Sequence, residues 1–256
     1  MELIDSHCHL QFDAYHGHED EVLARAKLAD VKKVISVGTT LKDSEINLEL
    51  ASRKNNVWAS VGAHPHDAAK FLADPNSAKK LKKLASQPKV VAVGETGLDY
   101  YRNFSDKADQ KAALRIHIET ALEENLPIIF HIRDAFEDFW PIFDSYKNIK
   151  GVVHSFSSHS GHLDEALRRG LSVGLNGIMT FTREQSQLEA AKAVPLERLL
   201  LETDAPFLTP APYRGEVCEP KHIRTIAEFL AKLRGESLEN LARSTTANTV
   251  KLFGLK

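Results

Sequence analysis

Residues able to bind a metal ion begin close to the start of the chain, with the pair His7 and His9. Side chains at positions i and i+2 of a strand point to one face, so two imidazoles can converge on one cation while Cys8 points away. The spacing recurs at His16/His18 and His64/His66 in a chain of 12 histidines, so no such pair carries a function alone. His16 and His18 stand among Gly17, Glu19 and Asp20 and read as a surface loop. The other candidates each follow a short apolar run: Glu95 after Val-Val-Ala-Val-Gly, then His131, His154 and Asp204. Imidazole and carboxylate suit zinc, manganese, iron or nickel. Glu95 is the informative carboxylate, because a charge ending an apolar strand is costly unless it is paired or binds metal. It can bridge two cations, which would make the site binuclear, or pair with an arginine such as Arg133.

The elements that must position these residues alternate regularly. Candidate strands are Leu3–Ser6, Lys33–Val37, Val57–Val61, Val90–Gly94, Pro127–Phe130, Gly151–Val153, Leu171–Gly174 and Arg198–Leu201. Between them lie helix-periodic stretches at Glu19–Asp30, Asp43–Lys54, Ser77–Ser86, Asp106–Asn125, Ala135–Tyr146, His162–Arg169, Arg183–Ala193 and Glu219–Arg234, with a final helix over Ser237–Phe253. Strands alternating with helices imply parallel pairing through crossovers. Eight such units in roughly 250 residues favour an α/β fold of the (β/α)8 TIM-barrel type with an additional C-terminal helix. A doubly wound sheet is the runner-up, but no Gly-rich phosphate fingerprint follows any strand. In a barrel the active site lies at the C-terminal strand ends, and every candidate ligand falls there. No linker or low-complexity segment interrupts the pattern, so residues 1–256 read as a single TIM-barrel domain.

Composition narrows the setting. Lys and Arg total 33 against 35 Asp and Glu, which gives no global basic footprint for coating duplex DNA. A local cationic site could still hold a phosphate. Two cysteines, Cys8 and Cys218, make no disulfide framework and no zinc motif. The N-terminus lacks a cationic, apolar leader pattern, and no apolar run reaches membrane-spanning length. The expected setting is cytoplasmic, with no membrane and no obligate protein partner.

Several strings together resemble the TatD family of metal-dependent deoxyribonucleases, within the amidohydrolase-like TIM barrels. They are Asp5-Ser-His-Cys-His-Leu10, Gly62-Ala-His-Pro-His66, Gly94-Glu-Thr-Gly-Leu-Asp-Tyr100 and His131-Ile-Arg133, then His154-Ser-Phe-Ser157, Glu202-Thr-Asp-Ala-Pro206, Arg214-Gly and the stretch from Asn248 to Gly254. They run in family order along the whole chain. The resemblance implies that His7, His9, Glu95 and Asp204 hold one metal and that Glu95, His131 and His154 hold the other. The cofactors would be two divalent cations, Mg, Mn or Zn. Arg133, His64 and His66 would face the substrate phosphate, with Arg214 as a further contact. The chain departs from the family pattern at Ser158, where glycine is usual, and at Cys218, where asparagine is usual.

The reaction expected is hydrolysis of DNA phosphodiester bonds by a water activated between two cations. Asp204 would accept the proton as general base, Glu95 would bridge, and Arg133 would stabilise charge on the non-bridging oxygens. The partner expected on this reading is DNA, as a single strand. Tyr100 and Tyr101 either stack on a base or pack at the rim. An amidase, esterase or aminoacyl-tRNA deacylase on the same site is the first alternative, and a non-catalytic metal-binding barrel the second. Lys79, Lys80, Lys82 and Lys83 read as a solvated helix face, His117 as structural or exposed, and His159 and His162 as loop residues. Cys8 reads as a packed neutral thiol.

Overall fold

The computed structural model describes residues 1–255. Parallel strands appear in sequence order: β1 (Leu3–Cys8), β2 (Val31–Val37), β3 (Val57–Val61), β4 (Val90–Asp99), β5 (Ile128–Arg133), β6 (Gly151–Val153), β7 (Ser172–Leu175) and β8 (Leu199–Leu201). Each pair of successive strands is joined through helix: α1 (Glu19–Leu28), α2 (Leu41–Arg53), α3 (Ala68–Ala73) with α4 (Ser77–Ala85), α5 (Lys107–Glu123), α6 (Phe136–Asp144), α7 (Ser160–Arg168) and α8 (Gln185–Ala193). After β8 come α9 (Ile223–Arg234) and α10 (Leu238–Phe253). The segment after β8 returns to β1 through the parallel bridge Cys8–Ala205. This is the (β/α)8 TIM barrel with an added C-terminal helix.

By packing, the chain divides into two compact units, Met1–Ser36 together with residues 154–255, and Val37–Val153. In the first unit Leu3, Ile35, Val173, Leu175 and Leu199 to Leu201 are buried; α9 and α10 pack on β1 and β8, and Ile226, Leu230 and Leu241 of these helices are buried as well. Gly235 and Gly254 end these two helices in the left-handed conformation that glycine adopts without a Cβ penalty. In the second unit Val61, Val93, Ile128 and Ile129 are buried. Aromatic residues of α6 pack on the outer side, with Phe139 edge-on to Phe130 at 5.0 Å between centroids.

Several strands run further than their apolar cores suggest, β5 as far as Arg133. β1 continues through His7 to Cys8, and β4 continues past Glu95 to Asp99. The extension of β4 pairs with β5 at Thr96↔Phe130, Gly97↔His131 and Asp99↔Arg133. A side chain at position 97 would collide with the His131 carbonyl, so glycine permits this approach.

His117 joins α5 to the end of β3. Its Nε2 accepts from the Ala63 amide at 2.9 Å, and its Nδ1 donates to the Ala113 carbonyl at 2.7 Å. The ring is fully buried, and burial lowers its pKa from 6.5 to about 4, against a smaller opposing effect of the Ala113 hydrogen bond. The unfolded chain therefore binds a proton between these values that the folded chain refuses. Stability should fall as pH drops from 6.5 towards 4, with about 3 kcal/mol lost across the window from this group. Urea unfolding at pH 7 and pH 5 tests this: His117→Gln should be weaker at pH 7 yet flatter with pH, and an equal slope would refute the assignment.

Candidate metal centre

The C-terminal end of β1 and the segment following β8 are laced together. Thr203 donates from Oγ1 to Asp5 Oδ2 at 2.6 Å and from its amide to Asp5 Oδ1 at 3.0 Å. The Asp204 amide donates to the His7 carbonyl at 2.9 Å, and the His9 amide to the Ala205 carbonyl at 2.7 Å. Asp5 is wholly buried, and burial pushes its carboxyl up to about 8 despite hydrogen bonds from Thr203 and His7. These bonds seat Asp204 against both histidines of the His7-x-His9 pair.

The resulting donor set has a definite geometry. His7 Nε2 and His9 Nε2 are 3.3 Å apart. Asp204 Oδ1 stands 3.2 Å from His9 Nε2 and 3.5 Å from His7 Nε2. A tetrahedral ion with ligand bonds of about 2.0–2.1 Å separates its ligands by about 3.4 Å. The three atoms thus occupy one face of such a tetrahedron, and the residues fit a divalent cation. Burial alone would raise the pKa of Asp204, but the His9 hydrogen bond and the neighbouring His7, His9 and His154 outweigh it, so the carboxyl is lowered. His154 stacks on His7 at 4.0 Å between ring centroids, with its Nδ1 3.6 Å from Glu202 Oε1. Glu202 also accepts from the Ser155 amide and takes the place that a side chain on Gly174 would need. His7, His154 and Glu202 form a second set of converging donors in this unit.

The other unit carries its own cluster at the ends of β3, β4 and β5. Glu95, only 3% exposed, has Oε1 2.8 Å from His131 Nδ1 and 3.5 Å from His64 Nε2. Those three residues also offer donor atoms in one ligand-sized cluster. The His66 amide donates to His64 Nδ1 at 3.1 Å. A neutral His64 must then carry its proton on Nε2, facing oxygen, which suits a hydrogen-bond donor better than a metal ligand. Asp99 Oδ2 accepts from His131 Nε2 at 3.0 Å and from His66 Nε2 at 3.1 Å. Burial would raise this carboxyl, but hydrogen bonds from His131, His66 and the Arg102 amide hold it well below the usual carboxylate range.

Arg133 lies two residues beyond His131 on β5, with its guanidinium 3.9 Å above the Tyr101 ring. Tyr100 is turned to the rim instead: its hydroxyl donates to Asp138 at 2.7 Å, and Lys107 covers its ring. Arg214 donates to the Thr209 carbonyl at 2.7 Å and rests on Phe181. His18 is exposed beside Glu21. His159 caps α7 through Gly161, and His162 pairs with Ser158 at 2.7 Å, the position that departs from the family pattern. Cys218 is buried, and its carbonyl accepts from the Tyr15 hydroxyl. Burial raises the Cys8 thiol, keeping it neutral. Asp99 and Glu202 are the residues that sequence reasoning passed over, although both stand inside the motif strings that carry the resemblance.

Strand-end histidines and carboxylates on a (β/α)8 barrel make up a candidate metal centre. The family model for TatD related DNase matches residues 4–254. The chain is 39% identical to the Escherichia coli K12 protein called "Uncharacterized metal-dependent hydrolase YcfH", over 99% of this chain and 96% of that one. It is 35% identical to the "3'-5' ssDNA/RNA exonuclease TatD" of Klebsiella pneumoniae strain 342, over 99% and 98% of the two chains. The crystal structure of YJJV, a TatD homolog from Escherichia coli K12, superposes with a TM-score of 0.92 at 29% identity, covering 99% and 98%. The chain belongs to the TatD family.

Proposed function

We propose that this protein hydrolyses phosphodiester bonds in nucleic acid, with single-stranded DNA as substrate. The observation that carries this reading is Arg133, whose planar fork matches a phosphate and which stands on the same strand face as His131. Among the described residues Arg133 forms no ion pair, and Tyr101 alone supports it by cation–π contact. The name of the Klebsiella relative, a single-strand exonuclease, supports the same substrate class.

Family membership supports two cations, one held by His7, His9, Glu95 and Asp204 and one by Glu95, His131 and His154. When bound, such ions activate water and offset charge on the phosphate. Asp204, ionised at neutral pH, takes the proton of the attacking water. Arg133 clamps the non-bridging oxygens, and His64, its ring fixed by the His66 amide and its Nε2 3.5 Å from Glu95 Oε1, donates to the phosphate beside it. His66 and Arg214 complete the proposed phosphate contacts. We take residues 1–256 to act as one domain in the cytoplasm. No helix among the described residues is long and apolar enough to cross a membrane.

The test is a substrate panel on purified protein: single-stranded DNA, RNA, a carboxylic ester, an amide and an aminoacyl-tRNA. Chelation should remove activity, and Mg, Mn or Zn should restore it on the DNA strand. Ester or amide cleavage without any phosphodiesterase activity would replace this reading, and no turnover on any substrate would favour a binding role.

A further inference from the structure

The turn between β4 and α5 exposes two large aromatic side chains within four residues, Tyr101 at 57% and Phe104 at 68%. Single exposed aromatics are common and need no explanation. Here the pair is coupled to the Asp99 cluster and to cations. Arg133 lies on the Tyr101 ring at 3.9 Å, and Arg102 approaches it at 5.4 Å. Phe104 meets His66 at right angles, 4.8 Å between centroids, so one edge of that contact is taken and most of the phenyl surface remains open.

The turn is also fixed from both sides. Asp99 Oδ1 accepts from the amides of Tyr101 and Arg102, each at 3.0 Å. Ser105 donates to the His66 carbonyl at 2.8 Å, and Gln110 donates to the Ser105 carbonyl at 2.8 Å. An exposed phenyl held by a buried network costs no ordering when something stacks on it. The tyrosines divide differently: Tyr100 is tied to Asp138, and Tyr101 is occupied in supporting Arg133.

We propose that Phe104 is the stacking platform for an unpaired nucleobase next to the scissile phosphate, with Tyr101 positioning Arg133 and Arg102 flanking the nucleic-acid backbone. The proposal rests on the nuclease reading and deepens it. Every base has a π-face, so stacking tolerates any sequence, whereas bases inside a duplex are already stacked and cannot reach the platform. An open aromatic face beside two guanidinium groups matches the alternating apolar and anionic surface of a single strand. Selection of single strands over duplex then arises at Phe104 rather than at the metal ligands.

Binding and cleavage should be measured on a fluorescent single-stranded oligonucleotide and on a strand of equal length that is abasic throughout. Phe104→Ala should weaken binding of the base-bearing strand about tenfold, from the usual loss per stacked base. Phe104→Trp should restore binding, and both variants should treat the abasic strand as the parent protein does. Equal binding of the base-bearing strand by parent and Phe104→Ala, alongside normal cleavage, would overturn the platform and leave the nuclease reading standing. A parent protein that neither binds nor cleaves single strands with any metal would overturn both.

Discussion

Replacing Glu95 by alanine should lower turnover at least about 1,000-fold while leaving the fold intact. The carboxylate is buried midway along β4, and its Oε1 lies 2.8 Å from His131 Nδ1. An acidic group in such a place is retained only when cations or strong donors compensate its desolvation. Metal ions stabilise several kcal/mol of transition-state charge in hydrolases of this kind, and each 1.4 kcal/mol lost costs a factor of ten. Glu95→Ala removes a carboxylate that the proposal assigns to both cations. Glu95→Gln keeps the size and one acceptor but not the charge, so it should show a similar loss of turnover with milder effects on stability. Metal content of the purified variants, their circular dichroism and cleavage of a single-stranded oligonucleotide together separate these outcomes. Turnover within tenfold of the parent, with metal content unchanged, would remove Glu95 from its bridging role.

The fold was largely legible because alternation survives averaging. The bounds read for β3 and β6 coincide with those observed, since both are short apolar runs between clear turns. β4 was harder. Glu-Thr-Gly-Leu-Asp reads as a loop by composition, and it is a strand only because Gly97 lets it lie against His131 of β5. The short helix α3 escaped detection because its six residues carry too little periodicity. The helix read from Glu219 begins instead with a tight turn at Pro220–His222 before α9.

The candidate site divides in the same way. The pairing of His7 with His9 follows from strand geometry, but the contact of His9 with Asp204 spans 195 residues and no local spacing contains it. The strand-end rule and the family strings brought Asp204 into the set. Those same strings include Asp99 and Glu202; Glu202 directly follows the run Leu199 to Leu201 and was open to the strand-end rule, whereas Asp99 stands four residues beyond Glu95. Their roles come from tertiary neighbours: Asp99 from His66 and His131, Glu202 from His154 and the Ser155 amide. The tyrosines show the reverse case. Sequence offers Tyr100 and Tyr101 equally as base-stacking residues, and only the hydrogen bond to Asp138 and the guanidinium of Arg133 reveal that both rings are engaged.

Asp99 sets the strongest expectation outside the proposed ligand set. Its two oxygens accept from His66, His131 and the Tyr101 and Arg102 amides, so one buried carboxylate orients two imidazoles and the turn that follows β4. By accepting the Nε2 proton of His131, it leaves Nδ1 directed at Glu95. Carboxylates behind histidine ligands fix tautomer and ring orientation, and losing one costs about 10- to 100-fold in activity or metal affinity. Asp99→Asn should show that loss, because an amide offers a donor where four donors already converge. The pH dependence has a definite sign. A carboxyl held below its unfolded value of 3.8 stabilises the fold above that pH, and the contribution disappears as pH falls further towards the folded value. The variant should therefore be less stable than the parent at neutral pH, and the gap should narrow in acid. Nitrogen-15 shifts of the histidine rings report the tautomer directly, and the His131 signals should move in Asp99→Asn. Unmoved signals with activity within twofold of the parent would reduce Asp99 to a purely structural acceptor.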